Sequence, residues 1–253
     1  MQFIGQWILS WVQSVGRAAW FLVGLCRFQG RPIIAWRPFL SSIGENSFYS
    51  LPLVSIAALF TGMVLAFQSA KAFKGFEHSP MMTEIVVLSI FQELGPVITG
   101  LLMAGRLGAW LAAELAAMRT SNQIEALVSL STSPVGFLIL PRIFAVVVVL
   151  PFLTMVATWS GVFGGGLTRV YHHGLSVSRY FQEVCHFVHY EDIKIGLIKA
   201  VWFGIVIGAV GAFQGYYSKR SAIGVGKATQ KSVVMSSFII LLSNYFMTRL
   251  IKG

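Results

Sequence analysis

The sequence has few charged residues, and acidic residues are especially scarce. Charged side chains make up 11% of the 253 residues, with 9 Asp or Glu against 19 Lys or Arg, whereas 56% of the residues are hydrophobic. Soluble domains carry about 25% charged residues. The mean hydropathy of +0.74 therefore excludes a mostly water-exposed surface. The two cysteines, Cys26 and Cys185, stand far apart and indicate neither a disulfide framework nor a metal knuckle.

The sequence also lacks the common motifs of ATP hydrolysis and of nucleophilic catalysis. A phosphate-binding loop ends in Gly-Lys followed by Ser or Thr, but here Gly226 and Lys227 are followed by Ala228. No Gly-x-Ser-x-Gly elbow is present, and no two acids stand at the spacing of a catalytic pair. We therefore expect a non-catalytic chain without a cofactor of its own.

Long stretches with almost no charge predict five membrane-spanning helices. A charge at the bilayer centre costs about 2.5–3.5 kcal/mol, and a helix needs about 20 residues to cross. The predicted spans are residues 46–70, 84–118, 138–168, 196–218 and 231–249. In the fourth span the charge-free run begins after Lys199. We therefore expect Lys199 to lie at the membrane boundary.

Two regions follow from this pattern, an N-terminal region of residues 1–45 and a five-helix membrane domain of residues 46–253. In the first region, apolar residues recur at steps of three and four, which predicts an amphipathic helix lying in the membrane interface. The fold class is an all-α integral membrane protein. Lys and Arg occur singly at the span ends, so their excess indicates membrane topology and not nucleic-acid binding, and a cytoplasmic N-terminus places more of them inside.

Glu93 is an acid inside an otherwise apolar stretch of the second span. An ionisable residue at such depth is expensive and is a functional candidate. Pro96 follows three residues later and lacks an amide hydrogen, so the helix should kink or open there. Two interpretations stay open for Glu93: direct contact with a ligand headgroup, or a structural hydrogen bond to Gln68 or Gln92.

A short polar segment between the second and third spans predicts a small helix at the membrane surface. Thr120 or Ser121 provides the capping hydroxyl for a helix over residues 122–130, which ends before Pro134. The segment is too short to cross a membrane. Its apolar residues at 124, 127 and 130 indicate a helix that packs against the membrane domain.

Four glycines in the fourth span lie on one helical face. They are spaced by four, three and four residues and are Gly204, Gly208, Gly211 and Gly215. Small residues on one face allow two helices to approach closely. The stripe indicates either a moving or dimerising interface, or static packing within one subunit.

The connection between the third and fourth spans, residues 169–194, carries four of the five histidines. Cys185, His186 and His189 have metal-ligand chemistry, but their spacing matches no recognised site. The alternative is an interfacial helix whose histidines face lipid headgroups.

The segment from Gln92 to Pro151 resembles the MlaE/YrbE family of ABC-transporter permeases, which move phospholipid or other lipids between the inner and outer membranes. The residues that carry the resemblance are ELGPV at 93–97, AGR at 104–106, AAE at 112–114, QIEAL at 123–127 and the Pro141-Arg142 pair. The resemblance implies a homodimer in the inner membrane. It also implies a separate cytoplasmic ATPase that binds ATP and Mg, and an MCE-domain protein on the outer face.

The resemblance further implies two sets of functional residues. The residues implied to line a lipid pocket are Leu65, Ala72, Phe73, Phe76, Gln92, Glu93 and Leu94. The residues implied to form a coupling helix, within residues 120–131, are Thr120, Asn122, Gln123, Ile124, Glu125 and Leu127. Glu125 would be the charged contact with the ATPase.

The sequence departs from the family pattern at two places. Family members commonly carry Arg immediately before the ELGP acid, but Gln92 stands here, which leaves Glu93 without an adjacent cation. After the coupling helix, a common Gly-x-Asp-Pro pattern is replaced by residues 131–134, Ser-Thr-Ser-Pro, and the next basic position is Gly136. We therefore expect a docking surface with fewer charges than usual.

Two alternative functions belong to other classes. An ion-coupled secondary transporter or channel would use Glu93 as its titrating group, although such proteins usually contain internal repeats, which this sequence lacks. A membrane-embedded lipid-modifying enzyme would use the histidines of residues 169–194.

Overall fold

The computed structural model describes residues 47–72 and 80–252, together with residues 16, 20, 21, 23 and 44. The helices in these residues are α1 (Leu51–Ala72), α2 (Pro80–Thr120), α3 (Gln123–Ser129), α4 (Leu140–His173), α5 (Val177–Phe187), α6 (Tyr190–Tyr216) and α7 (Ala222–Lys252). The described part of the chain contains no strand. Five of its helices, α1, α2, α4, α6 and α7, are long and apolar enough to cross a membrane. The predicted all-α membrane fold with five spans is confirmed; the predicted interfacial helix of residues 1–45 lies almost entirely outside the described residues.

The spans extend beyond the apolar runs that predict them. The fourth span begins at Tyr190 rather than at residue 196, and the fifth begins at Ala222 rather than at residue 231. Hydropathy detects only the apolar part of a helix, whereas backbone hydrogen bonds continue through polar residues at either end. Lys199, which the sequence analysis places at the boundary, therefore lies inside α6.

The core of the domain is formed around α4, which packs against α1 on one side and α6 on the other. The closest approach is between α1 and α4, where a Cβ atom on Gly62 would lie 1.9 Å from the carbonyl oxygen of Gly161. A Cβ atom on Gly164 would lie 2.1 Å from the carbonyl oxygen of Leu59. The two helices therefore contact each other backbone to backbone, as small residues in membranes permit.

The glycine stripe of α6 faces helices of the same chain. Gly204 and Gly208 lie against α4, and Gly211 and Gly215 lie against α2. A Cβ atom on Gly215 would be 2.7 Å from the carbonyl oxygen of Ala112. This arrangement supports the interpretation of the stripe as packing within one subunit.

The small surface helix α3 begins at Gln123, but neither predicted hydroxyl caps it. The Thr120 hydroxyl donates to the carbonyl of Ala116 at 2.9 Å, and the Ser121 hydroxyl also bonds backwards into the last turn of α2. Asn122 precedes α3 with a φ of 58° and no side-chain cap. The capping prediction is therefore wrong, because these hydroxyls satisfy carbonyls of the preceding helix instead.

At the opposite end of the domain, the amphipathic helix α5 is held against α2 and α4. The hydroxyl of Tyr180 donates to the carbonyl of Val162 at 2.8 Å, and burial raises the pKa of Tyr180. Glu183 accepts from Thr83 at 2.5 Å and pairs with Arg169 at 3.6 Å, so a buried carboxylate joins three helices. Within the described residues, no group of three or more His, Cys, Asp or Glu is placed to hold a metal ion.

Candidate functional site

The second span opens into a wide turn around Glu93. Residues Ile90–Leu94 form a π-helical turn, in which the amide of Gly95 donates to the carbonyl of Ile90, five residues earlier. Pro96 has no amide hydrogen, so the carbonyl of Gln92 loses its ordinary α-helical donor. The opening expected beside Glu93 thus takes the form of a π turn, a feature frequent at functional sites.

The cation that pairs with Glu93 comes from α6. The ammonium of Lys199 lies 2.8 Å from Glu93 Oε1 and donates to the carbonyl oxygen of Gln92 at 2.9 Å. The side chain of Lys199 is 0% exposed. The carbonyl that Pro96 deprives of a partner is therefore satisfied by the same ammonium that neutralises Glu93.

This geometry corrects two expectations about charge. Lys199 is not an exposed cation at the end of a helix but half of a buried ion pair inside α6. Glu93 does not lack a cation, although position 92 supplies none. The compensating charge lies more than 100 residues away in sequence, so no inspection of neighbouring positions could find it.

The helix α7 completes the cluster. The hydroxyl of Thr248 lies 2.8 Å from Glu93 Oε1, and the amide nitrogen of Asn244 donates to Glu93 Oε2 at 3.0 Å. Lys199 also donates to Thr248 Oγ1 at 2.8 Å. The side chain of Glu93 keeps 30% exposure, so the cluster is open on one side. Three spans thus meet at Glu93, and its hydrogen bonds run to α6 and α7 instead of to Gln68 or Gln92.

Gln92, the position where Arg was expected, has its own partner. Its amide nitrogen donates to Asp192 Oδ1 at 2.5 Å, and both side chains are buried. The second oxygen of Asp192 accepts from the backbone amide of His189 at 2.9 Å and so closes the first turn of α6. Gln92 therefore ties the π turn of α2 to the beginning of α6.

The remaining residues implied for a lipid pocket lie on α1, on α2 or outside the described residues. Leu65 is half-buried and packs against the apolar cluster that includes Ile90 and Phe91. Leu94 is also half-buried, whereas Ala72 is the exposed last residue of α1. Phe73 and Phe76 lie outside the described residues. Lys199, Asn244 and Thr248 were missed by the sequence analysis, although a Lys inside an apolar stretch was the available signal.

At the other end of α2, the small helix α3 is anchored by one apolar side chain. Ile124 is 4% exposed and belongs to a buried apolar cluster that includes Leu115 of α2 and Ile139 next to α4. Gln123 and Leu127 line a groove of about 330 Å³ between α3 and the neighbouring helices. Thr120 is the last residue of α2, and Asn122 lies in the turn that joins α2 to α3. The five residues 120, 122, 123, 124 and 127 are thus brought together at one end of the domain.

Charged residues at this end connect helices of the same chain. Arg142 makes a two-pronged ion pair with Glu114, at 2.8 Å for the shorter contact. Arg119 donates to the carbonyl of Tyr216. Glu125 pairs with Arg220 of the α6–α7 connection. The residue expected to contact an ATPase therefore has an intramolecular partner, and both members of the pair remain partly exposed.

Comparisons with known proteins agree with this architecture. The family described as Permease MlaE matches residues 39–250. A probable ABC transporter permease protein of Rickettsia felis is 38% identical over 247 residues, covering 98% of this chain and 95% of the relative. The intermembrane phospholipid transport system permease protein MlaE of Haemophilus influenzae is 30% identical over 253 residues, covering 99% and 96%. A probable ABC transporter permease protein of Synechocystis is 33% identical over 234 residues, covering 91% and 88%.

A multi-pass helical membrane protein with these matches is a permease of the ABC-transporter class. The chain belongs to the MlaE permease family.

Proposed function

We propose that this permease moves phospholipid between the inner and outer membranes and that the lipid headgroup reaches the Glu93 cluster. The observation that carries the proposal is the cluster itself, a partly exposed carboxylate held by Lys199, Thr248 and Asn244 among three spans. Polar residues inside spans mark substrate pathways. The Haemophilus influenzae relative named as an intermembrane phospholipid transport permease supports phospholipid as the substrate.

The second span supplies a mechanical connection between the two ends of the domain. Pro80–Thr120 is one helical run of 41 residues, and the distance along it from Glu93 to Thr120 is about 40 Å at 1.5 Å per residue. The helix α3 follows directly, and Val128 within it and Leu130 just after it have exposed apolar side chains. A cytoplasmic ATPase that binds ATP and Mg would dock on α3, and its closure would move α2 and the Glu93 cluster.

The assembly that we propose is a homodimer in the inner membrane with a cytoplasmic N-terminus. Most of α7 is exposed, including Phe238, Leu241 and Tyr245, so this helix has a broad apolar face for a second copy or for lipid. An MCE-domain protein would sit at the end that carries α5, opposite the ATPase.

The test uses the chain expressed with its ATPase and MCE-domain partners. The complex is purified in mild detergent, its lipids are identified by mass spectrometry, and lipid transfer between vesicles is measured with and without ATP. We expect bound phospholipid and ATP-dependent transfer. Scrambling residues 123–129 should abolish transfer and the response of ATP hydrolysis to lipid.

The control is Thr61→Val in the middle of α1, since the Thr61 hydroxyl donates to the carbonyl of Ala57 in the same helix and lies at neither proposed docking end. This variant should transfer lipid normally. A complex without bound lipid, or normal transfer after α3 has been scrambled, would refute the proposal. Ion-driven transport by the purified chain alone would support the secondary-transporter alternative instead.

A further inference from the structure

The hydrogen-bond donors of the Glu93 cluster are already in use. An ammonium has three N–H donors, and Lys199 directs them to Glu93, to the carbonyl of Gln92 and to Thr248 at 2.8–2.9 Å. The side chain is 0% exposed. Lys199 therefore neutralises Glu93 without offering a free N–H to a ligand.

The unused capacity of the cluster is on acceptor atoms. Glu93 Oε1 accepts from Lys199 and Thr248, whereas Oε2 accepts only from Asn244 among the described residues. The amide nitrogen of Asn244 is used by Glu93, and the oxygen Oδ1 of the same amide group is a buried atom with no partner in the part of the chain that the structure describes. A buried acceptor without a donor is destabilising and calls for an explanation.

A phosphate group would fit this arrangement poorly. Its oxygens are acceptors and carry negative charge, and they would meet a carboxylate and an amide oxygen. The cation that the described residues place within hydrogen-bonding distance of Glu93 is Lys199, and its donors are engaged. A group that brings positive charge together with N–H donors would satisfy Glu93 Oε2 and Asn244 Oδ1 at once.

We infer that the group received by this site is the primary ammonium of a phospholipid such as phosphatidylethanolamine, and not the phosphate. This inference rests on the proposed function, in which a headgroup reaches Glu93. Asn244 is then a specificity-determining residue, because its oxygen accepts a hydrogen bond from a headgroup that has N–H donors and gains none from a headgroup without them.

Phosphatidylcholine provides the discriminating comparison. Its nitrogen carries the same positive charge but three methyl groups and no N–H donor. Electrostatic attraction to Glu93 alone would favour both lipids, whereas hydrogen bonding to Glu93 and Asn244 favours only phosphatidylethanolamine. A hydrogen bond to a charged group corresponds to roughly a tenfold or larger ratio in binding.

The experiment measures lipid retention by the complex with its ATPase and MCE-domain partners. The complex is equilibrated in detergent with equimolar phosphatidylethanolamine, phosphatidylcholine and phosphatidic acid of identical acyl chains, and bound lipids are quantified by mass spectrometry. We expect about tenfold enrichment of phosphatidylethanolamine over both other lipids. Asn244→Leu should lose most of this enrichment, whereas the neighbouring Ser243→Ala should keep it, because the Ser243 hydroxyl donates to the carbonyl of Ile240 within α7.

The outcomes separate the inference from the proposed function. Equal retention of phosphatidylethanolamine and phosphatidylcholine, or enrichment of phosphatidic acid, would overturn the inference while leaving phospholipid transport intact. Full enrichment in Asn244→Leu would remove Asn244 from headgroup selection. Absence of all three lipids from the complex would count against the proposed function itself. The ranking in the unaltered complex tests the inference even where Asn244→Leu fails to fold.

Discussion

Removal of the Lys199 ammonium tests the physical basis of the Glu93 cluster. Lys199→Met keeps the length and apolar stem of the side chain but leaves the Glu93 carboxylate, the Gln92 carbonyl and the Thr248 hydroxyl without their shared donor. Loss of one member of a buried ion pair destabilises a protein by about 3–5 kcal/mol.

Two features of the cluster set the expected magnitude. Glu93 is 30% exposed, which places the loss toward the lower end of this range. The unpaired carboxylate can also become neutral by taking up a proton, which limits the loss. We therefore expect a loss of about 3 kcal/mol, which is a fall in apparent Tm of roughly 6–12 °C in a domain of this size.

The assay is thermal unfolding in detergent, followed by intrinsic tryptophan fluorescence at pH 7 and pH 5. Because protonation of an unpaired Glu93 becomes easier as pH falls, the deficit of Lys199→Met should shrink at pH 5. Adding Glu93→Gln should recover much of the loss, since no unpaired charge then remains. Lys194→Met is the matched control on α6, because its pair with Glu191 is exposed and worth at most about 1 kcal/mol.

Unchanged stability of Lys199→Met would refute the reasoning. It would mean that the Glu93 carboxylate has sufficient solvent or other donors without Lys199. Equal losses in the single and double variants would likewise show that lost packing, and not an unpaired charge, determines the effect.

Three further predictions concern docking and packing. The double substitution Glu125→Arg, Arg220→Glu exchanges the two residues and preserves their ion pair. If Glu125 contacts the ATPase, lipid-stimulated ATP hydrolysis is lost in this variant. Normal stimulation by lipid would show that only the intramolecular pair matters. Gly164→Ala places a methyl group against the backbone of α1 and should lower Tm by several degrees. Gly105→Ala is the control, because the space around its Cβ position is open, and it should leave Tm unchanged. Equal Tm values for the two variants would contradict the close approach of α1 and α4. Tyr180→Phe removes the hydrogen bond from α5 to the carbonyl of Val162 in α4, so hydrogen exchange in α5 should accelerate, corresponding to about 1 kcal/mol. Unchanged protection would show that this hydrogen bond does not hold α5.

The fold class and part of the candidate site could be predicted from single stretches of sequence. Four of the five spans follow from charge-free runs of suitable length, and the second follows from an apolar stretch interrupted by Glu93, because the energy of burying a charge in lipid depends on residue type and position along the chain. Glu93 stands out as a charge inside an apolar stretch, and Pro96 stands out as a residue without an amide hydrogen. The motifs at 93–97 and 123–127 indicate the family, which the match over residues 39–250 confirms.

Other local predictions failed where a competing local interaction prevailed. Thr120 and Ser121 have suitable residue types and positions for capping α3, but their hydroxyls bond to carbonyls of α2. Propensity identifies a residue able to cap, and it does not decide between the helix that follows and the helix that precedes.

The sequence by itself determined that the chain crosses the membrane as five helices and that an acid lies beside a proline in the second of them, because hydropathy and helix breaking are local properties. Only the tertiary structure decided which groups meet that acid. Asn244 and Thr248 lie 151 and 155 residues from Glu93, and they reach it because α7 has one particular rotation and axial position against α2. Rotation and axial position are set by the packing of whole helices, to which close contacts such as Gly62 with Gly161 contribute.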